Sequence, residues 1–517
     1  MNTGWAEGYV SDIEYRGGFY RDQAPADIDL MAEVAGFRPP AHRRDYAYCE
    51  LGCGQGWTML VLAAANPRAS FVGIDFNPAH IARAREMAQA AGLENVRFLE
   101  MSFAEMAALP QSRLPDFDYI TLHGIWSWVS AENQGHIVEV LRRWLKPGGL
   151  VYVSYNTMPG WAPALPLQRL LLEHARRSQE RSDRRIREAI VFAEALKSAG
   201  ARGLQNIPML DEVVRERDEG SPVYLAHEYL NESWRPCHFA DVAAAMAGAK
   251  LDYIGVVRLI ENFKDLMLSP AQRQIVDAIA DQPFREMIID LCVDRRFRRD
   301  IYVRGARRLS EAERDERLAR RHFALARPLA GIAYGLRVPA GEAQVERAVY
   351  EPVYAALAEG PRTLRELLEI ARRHGDLTAV EAAGVIAGSQ QALVYDPDEP
   401  GEATAFNNWV VAEMALEDLR SGVALATPRT GAGLHADVFD VLAWAAMCRQ
   451  PGATLDELAG VVQGLLEARG EQASDRDGPI TDPLKARQAI LGRLEAIVAD
   501  KLPLWRRLGA GGPPWRR

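Results

Sequence analysis

A glycine-rich loop near residue 50 is the stretch of the sequence best suited to bind a ligand. Gly52, Gly54 and Gly56 alternate along Glu50-Leu-Gly-Cys-Gly-Gln-Gly56, and an apolar run typical of a helix, Trp57 to Ala65, follows them. Glycines let a backbone turn tightly and approach a ligand where a Cβ would collide. The N-terminus of the following helix presents free N–H groups to a negatively charged group of that ligand.

A carboxylate stands at the end of the next predicted strand, Phe71 to Asp75. From that position Asp75 can accept hydrogen bonds from both ribose hydroxyls of a nucleoside. The spacing Gly-x-Gly-x-Gly differs from the Gly-x-Gly-x-x-Gly of dinucleotide sites. Glu50 beside the loop would repel a pyrophosphate but suits a cationic ligand.

This combination of loop and strand-end carboxylate resembles the class I S-adenosylmethionine (AdoMet) methyltransferases, in which the helix N-terminus serves the AdoMet carboxylate. The resemblance implies AdoMet as cofactor and a site built from the loop and from three strand ends. The cofactor-binding residues it implies are Glu50, Gly52, Cys53, Gly54, Gly56, Asp75, Phe76, Ser102, Phe103 and His123.

Strand and helix patterns alternate over residues 41–156, which predicts a doubly wound, Rossmann-like α/β core with a parallel sheet. Asn77 and Ser130 are predicted N-caps, because their side chains can accept hydrogen bonds from helix N–H groups. The predicted strands are Tyr46–Glu50, Phe71–Asp75, Asn95–Glu100, Phe117–Leu122 and Leu150–Ser154, and the predicted helices include Ala79–Ala91 and Ala131–Trp144.

Aromatic residues are concentrated after the fourth and fifth strands and near the N-terminus, where a methyl acceptor would be held in such a core. Aromatic faces attract cations, and an apolar slot lowers the pKa of a lysine amine. The rings could equally be wall and core, and His123 could be a structural residue rather than a base. The candidate catalytic residues are Tyr15, Tyr20, His123, Trp126, Trp128, Tyr155 and Asn156.

Composition excludes several functional classes. The chain has 517 residues, a formal net charge of −9 and 48% hydrophobic residues, whereas a general nucleic-acid binder needs a basic face. No apolar run approaches the ~18 residues of a membrane span, and the N-terminus does not have the pattern of a signal peptide.

The five cysteines lack metal-binding spacing and suit a reducing cytoplasm. His227, Glu228 and His238 are too few and too irregularly spaced for a metal site.

Four regions are expected along the chain. Residues 1–40 form a flap or cap, 41–200 the AdoMet-binding core, 201–325 a regulatory-type domain and 326–517 a mostly helical region, so that α+β accessory domains follow the core. Helix patterns closing on a short strand near 345–396 are similar to a winged helix, although the third helix has one charged residue and is a poor DNA reader.

Longer motifs make the resemblance more specific. Gly73-Ile-Asp-Phe-Asn-Pro-Ala-His80, Leu122-His-Gly-Ile-Trp-Ser-Trp-Val-Ser130, Val151–Trp161 and His227-Glu-Tyr-Leu-Asn231 resemble methyltransferases that carry a methyltransferase regulatory domain. Members of that family include bacterial protein lysine methyltransferases acting on surface proteins. The resemblance implies a protein substrate, and a homodimer is a further expectation. A small-molecule or glycan O- or N-methyltransferase and a non-catalytic scaffold remain the alternatives.

Overall fold

A seven-stranded sheet lies at the centre of the protein, which a computed structural model describes over residues 7–14, 17–40, 44–414, 422–475 and 478–513. Its strands are β1 (Ala47–Leu51), β2 (Ser70–Asp75), β3 (Val96–Glu100), β4 (Phe117–Leu122), β5 (Leu145–Asn156), β6 (Leu251–Val256) and β7 (Phe297–Arg304). They lie in the order β3-β2-β1-β4-β5-β7-β6. The first five are parallel, and β7 runs antiparallel to β5 and β6. The predicted α/β core is therefore confirmed.

Helices cover both sides of this sheet. Those of the first half are α1 (Pro25–Val34), α2 (Trp57–Ala65), α3 (Pro78–Ala90), α4 (Phe103–Ala108), α5 (Ala131–Trp144), α6 (Leu165–Ala175), α7 (Ser182–Ser198), α8 (Pro208–Glu219), α9 (Pro222–Tyr229) and α10 (Phe239–Ala247). Tyr48 and Phe71 belong to one core with α1–α3, whereas Cys49 and Val72 belong to another with α4, α5 and α10. This alternation follows from the two-residue period of a strand.

The local signals for helix starts are confirmed at two positions. The side chain of Asn77 accepts a hydrogen bond from Ala79 N at 3.0 Å, and that of Ser130 accepts one from Asn133 N at 3.2 Å. Both caps satisfy N–H groups that have no partner inside their helix. They set the directions in which α3 and α5 leave the edge of the sheet where β2 and β4 end.

The sheet extends into the region that the sequence assigns to a separate regulatory-type domain. Strands β6 and β7 come from residues beyond 200, yet β7 pairs along the length of β5 from Leu150 to Asn156. The sheet thus continues beyond residue 200, across the expected division between the core and the regulatory-type region. The arginine-rich stretch in β7 gave no strand signal because its charges suggest a surface segment.

Carboxylates neutralise β7 within the protein. Arg298 is fully buried and lies 2.9 Å from Asp300, 2.7 Å from Asp290 and 2.9 Å from Glu286. Paired in this way, a guanidinium can be buried, whereas an isolated charge would be strongly destabilising. The regulatory-type region therefore joins the core through a strand whose charge is matched by its neighbours.

The remaining elements form smaller layers around the sheet. The helices are α11 (Lys264–Met267), α12 (Pro270–Asp277), α13 (Gln282–Val293), α14 (Glu311–Arg320), α15 (Arg347–Glu359), α16 (Leu364–Ala371), α17 (Ala379–Gly388), α18 (Thr404–Met414), α19 (Val438–Arg449), α20 (Leu455–Ala468), α21 (Pro483–Ala496) and α22 (Leu502–Arg507). The strands are β8 (His322–Leu325), β9 (Gly335–Val338), β10 (Gly341–Gln344), β11 (Arg362–Thr363), β12 (Ala392–Tyr395), β13 (Val423–Thr427), β14 (Ala432–Ala436), β15 (Ser474–Asp475) and β16 (Gly478–Pro479).

Helices α15–α17 and strands β11 and β12 occupy the stretch that the sequence describes as similar to a winged helix, and β8, from before that stretch, pairs with both strands. Helix α17 packs inward: a Cβ on Gly384 would clash with the ring of Phe263. None of the helices in the described ranges has both the length and the apolar character that crossing a membrane requires.

The C-terminal region packs directly on the predicted flap and on α2. Arg21 Nη1 donates to the Gly433 carbonyl at 2.7 Å, and Asn66 Nδ2 donates to the Gly431 carbonyl at 2.9 Å. A Cβ on Gly433 would clash with the Phe19 ring. The segment around Tyr20 thus packs directly on β14.

Candidate active site

One large cavity, of about 770 Å³, opens at the carboxyl ends of the parallel strands, where β1 and β4 lie side by side and the chain order reverses. Ligands of open α/β sheets bind at this switch point, and the volume lies within the usual range for small-molecule sites. The cofactor half, at the ends of β1–β3, includes Glu50, Gly52, Cys53, Gly54, Gly56, Asp75, Phe76, Ser102 and Phe103. The acceptor half, at the ends of β4 and β5 and the start of β7, includes Tyr20, His123, Trp128, Asn156, Trp161, Tyr224, Glu228 and Phe297.

Asp75 is tied to the glycine loop. Its Oδ2 accepts a hydrogen bond from Gly54 N and its Oδ1 accepts one from Asn77 N, both at 2.9 Å. The side chain is 7% exposed and lines the cavity. A carboxylate has about four acceptor positions, so two amide bonds leave capacity for the hydroxyls of a ribose.

The glycines of the loop have different functions. A Cβ on Gly56 would clash with the Phe98 ring, and one on Gly52 would clash with Ile125, so these two positions are packed against the protein. Gly54 also has a positive φ, +54°, but a Cβ there meets no atom within 4 Å and the residue lines the cavity. Close packing therefore requires glycine at positions 52 and 56, whereas at position 54 a glycine keeps space open for a ligand.

Glu50 places a second carboxylate beside the loop. It is 5% exposed, and its Oε2 makes no hydrogen bond with the described residues. Burial raises the pKa of Glu50 to about 8, and the charge of Asp75 acts in the same direction. An ammonium group of a ligand would lower that pKa and satisfy the buried oxygen.

Residues after β2 and β3 complete the cofactor half. The ring of Phe76 lies edge-on to Tyr9, with centroids 5.9 Å apart. Ser102 caps α4 by accepting from Glu105 N at 3.2 Å, which places Phe103 at the first position of that helix. These rings give the cofactor half an apolar end suited to a flat base. Tyr9 was not among the expected site residues.

His123 is held in an aromatic stack. Its Nδ1 lies 2.8 Å from the Tyr152 hydroxyl, and the Tyr20 ring stacks on it with centroids 3.8 Å apart. Burial lowers the pKa of His123 to about 3, and the charges of Arg299 and Arg258 act in the same direction. Such a histidine is neutral and a weak proton acceptor at pH 7. The geometry therefore indicates that His123 forms part of the cavity wall and orients Tyr20, and does not act as a base.

Asn156 ends β5 inside the acceptor half. Its backbone N–H donates to Ser127 Oγ at 2.8 Å, and its side-chain Nδ2 donates to Glu228 Oε1 at 2.9 Å. Trp161 Nε1 donates to the Arg296 carbonyl at 2.9 Å, which holds the indole against β7. Glu228, Tyr224 and Phe297 were missed as site residues because they come from distant segments; only the His227–Asn231 motif drew attention to this stretch.

Two of the candidate catalytic residues lie outside the cavity, and a third lies outside the described residues. Trp126 and Tyr155 do not line the cavity: both are buried in the core shared with α5, and Tyr155 donates to Asp300 at 2.6 Å. Their placement in an acceptor pocket is corrected. Tyr155 faces the opposite side of the sheet from Asn156, because consecutive residues of a strand alternate, and Trp126 turns into the core from the segment after β4. Tyr15 lies outside the described residues.

Tyr155 should therefore affect stability rather than ligand binding. Tyr155→Phe is expected to lower the free energy of unfolding by about 1.5–3 kcal/mol, the contribution of a hydrogen bond to a charged group. Urea denaturation measures the loss, and calorimetry should show an unchanged AdoMet Kd. Tyr395→Phe, at a half-buried tyrosine at the end of β12 and far from Asp300 in the sequence, is the matched control. A weakened AdoMet Kd in Tyr155→Phe would contradict this assignment.

The cofactor half fits AdoMet group by group. Glu50 presents an unsatisfied buried oxygen for an ammonium, and α2 presents its first N–H groups for a carboxylate. Asp75 has remaining acceptor positions for ribose hydroxyls. Gly54, which has no Cβ, lets the cofactor approach the backbone of the loop closely. Each of these features was expected from the sequence, and here they share one cavity.

Comparisons with known proteins support the same cofactor. The chain matches the model described as a methyltransferase domain over residues 42–198 and that described as a predicted methyltransferase regulatory domain over 221–304. The uncharacterised protein sll1526 of Synechocystis is 34% identical over 98% of this chain and 99% of its own length. The protein RP789 of Rickettsia prowazekii is 26% identical over 56% of this chain and 51% of its own length.

Among solved structures, PKMT2 of Rickettsia typhi in complex with AdoHcy has the same fold. It matches with a TM-score of 0.69 at 19% identity, covering 96% of this chain and 100% of that one. The fold similarity thus extends through the C-terminal region as well as the core. The chain belongs to the family of AdoMet-dependent methyltransferases that carry a methyltransferase regulatory domain, and AdoMet is its cofactor.

Proposed function

We propose that this enzyme methylates lysine side chains of proteins. The proposal is supported by the acceptor half of the cavity. Its wall is aromatic and lies around the ends of β4 and β5 and the start of β7, with Tyr20, Trp128, Trp161, Tyr224 and Phe297. Aromatic faces attract an alkylammonium group, and the apolar surroundings disfavour its charge. A long, flexible side chain with a terminal amine fits such a wall.

The residues of the chain then have separate tasks. When bound, AdoMet supplies a methyl group on a sulfonium, which a neutral amine can take by in-line displacement. Asp75, Glu50 and the glycine loop hold the donor, while Tyr20 and Trp128 exclude water and confine the acceptor. Holding reactants in attack geometry is worth several kcal/mol of the barrier, about 7–11 in the most favourable intramolecular cases.

The similarity to PKMT2 of Rickettsia typhi and the resemblance to bacterial protein lysine methyltransferases favour a protein acceptor over a small molecule. The C-terminal region packs on the flap through Arg21 and on the end of α2 through Asn66, so the extra domains support the active site and add surface for a folded substrate. A small-molecule methyltransferase would not need this additional surface.

Radiolabelled AdoMet incubated with a cell extract tests the proposal. We expect label in protein bands, and methyllysine after acid hydrolysis, with the unmodified enzyme. Label confined to the small-molecule fraction of the extract would instead support the small-molecule alternative. Asp75→Ala serves as the blank, because label that persists with it comes from other methyltransferases in the extract.

A further inference from the structure

The carboxylate of Glu228 lies at the end of β5, although it comes from α9 in the regulatory-type region. Its Oε1 accepts the hydrogen bond from Asn156 Nδ2 at 2.9 Å, across 72 residues of sequence, and the side chain lines the cavity. The glycine loop follows β1, which lies two strands away, so about 10 Å separates the two strand axes. Glu228 thus belongs to the acceptor half and not to the cofactor half.

Other carboxylates in the cavity have different positions. The described carboxylates that line it are Glu7, Glu50, Asp75, Glu100, Glu105 and Glu228. Asp75 and Glu50 serve the glycine loop, and Glu105 bonds to the N-cap of α4. Of this set, Glu228 is the one bonded to the end of β5, so its role differs from those of the others.

The positive charges near Glu228 already have partners. Arg296 pairs with Glu212 at 3.0 Å, and Arg299 pairs with Asp22 at 2.9 Å. No cationic group of the described residues lies within 4.0 Å of Glu228. The polar partners of Glu228 are the Asn156 amide and the Trp234 indole, and both are neutral. A carboxylate with neutral partners in a cavity wall can interact with a cation brought by a substrate.

We infer that Glu228 binds the ammonium group of the acceptor and takes its proton, which makes it a catalytic residue of the methyltransferase. The inference rests on the proposed function and names the group that prepares the lysine for reaction. Asn156 is a positioning residue, since its Nδ2 holds the carboxylate at the end of β5. The regulatory-type region would then contribute directly to the chemistry.

The step is a single proton transfer. One N–H bond of the ammonium breaks, an O–H bond forms on Glu228, and the nitrogen keeps the electron pair that it needs as a nucleophile. A lysine in water has a pKa of about 10.4, so the transfer needs help from the site. Burial supplies it by raising the pKa of Glu228 to about 7 and by disfavouring the ammonium. Glu228 later returns the proton to water.

Neighbouring titratable groups do not obscure this ionisation. Burial lowers the pKa of His227, next to it on α9, to about 4, and that of His123 to about 3. Burial raises the pKa of Tyr224, also on α9. Arg296 and Arg299, at the start of β7, are each paired with a carboxylate. Glu50, whose pKa is raised to about 8 by burial, faces the cofactor and reports on AdoMet binding instead.

Glu228→Gln in the full chain tests the inference. We expect kcat for labelling of lysine in extract proteins to fall by about 100-fold or more, the usual contribution of a general base. In the unmodified enzyme kcat/KM should rise with pH through about 7, because Glu228 must lose its proton to act, and in the variant this rise should disappear. Glu219→Gln, an exposed glutamate of α8, is the matched control.

Further measurements distinguish a failure of the inference about Glu228 from a failure of the proposed function. Calorimetry should show the same AdoMet Kd for Glu228→Gln as for the unmodified chain, which establishes that the variant is folded, while inhibition by n-butylammonium should weaken at least tenfold. Glu228→Asp should retain the rise near pH 7 at a lower rate. No label in lysine with the unmodified enzyme would overturn the proposed function. Lysine labelling by Glu228→Gln at the normal rate and pH dependence would overturn the inference alone.

Discussion

Asp75→Ala is expected to weaken AdoMet binding by about 100-fold or more. Hydrogen bonds to a charged group contribute about 1.5–3 kcal/mol each, and two ribose hydroxyls together therefore account for at least 3 kcal/mol, where 1.4 kcal/mol is tenfold. The substitution also removes the acceptor of Gly54 N and Asn77 N, so the glycine loop loses its anchor. Isothermal calorimetry measures the Kd.

Two comparisons make this measurement decisive. Asp252→Ala, at an exposed position of β6, removes the same charge from the chain and should leave the Kd unchanged. Circular dichroism should show that Asp75→Ala keeps its secondary structure, because the hydrophobic cores do not include this side chain. Unaltered AdoMet affinity in a folded Asp75→Ala protein would remove Asp75 from the cofactor site.

Gly56→Ala is expected to cost about 2–5 kcal/mol of folding stability. The methyl group would clash with the Phe98 ring, and overpacking of a core costs typically 1–3 kcal/mol. The φ of +75° adds about 1–2 kcal/mol for a residue with a Cβ. Since native domains are stable by only about 5–15 kcal/mol, urea denaturation should show a large shift.

Gly54→Ala provides the matched comparison for Gly56→Ala. Its φ of +54° brings a similar backbone cost, but the added methyl meets no atom within 4 Å, so stability should fall by only about 1–2 kcal/mol. AdoMet binding should be lost, because the methyl group occupies the cavity. A Gly54→Ala protein that binds AdoMet normally would contradict the position assigned to the cofactor.

The cofactor half could be predicted almost completely from the sequence. Its residues lie at the ends of consecutive elements, and a parallel sheet brings those ends to one edge, so strand order and local signals suffice. Helices α2 and α5 begin and end at the predicted residues, Trp57–Ala65 and Ala131–Trp144. The glycine loop and Asp75 meet through a hydrogen bond across only 21 residues.

Predictions for the acceptor half were less accurate, because side-chain direction at a strand end depends on the face of the sheet. Trp126 and Tyr155 carry the same chemical signal as Trp128 and Asn156, yet the first two are buried in the core and the last two line the cavity. A shift of one residue along β5 decides which side of the sheet is reached, and the turn after β4 decides it for the two tryptophans. Aromatic composition alone does not contain that information.

The sequence by itself determined the fold class, the cofactor loop and the carboxylate beside it, since these depend on short-range patterns of glycine, apolar and acidic residues. Only the tertiary structure decided that β7 joins the sheet and that Glu228 reaches the end of β5. Arg298 is buried in β7 because Asp290 and Asp300 neutralise it, and Glu228 meets Asn156 across 72 residues. The Arg298 pairs are local in sequence and the Glu228–Asn156 pair is distant, but neither kind of polar pairing leaves a periodic pattern along the chain.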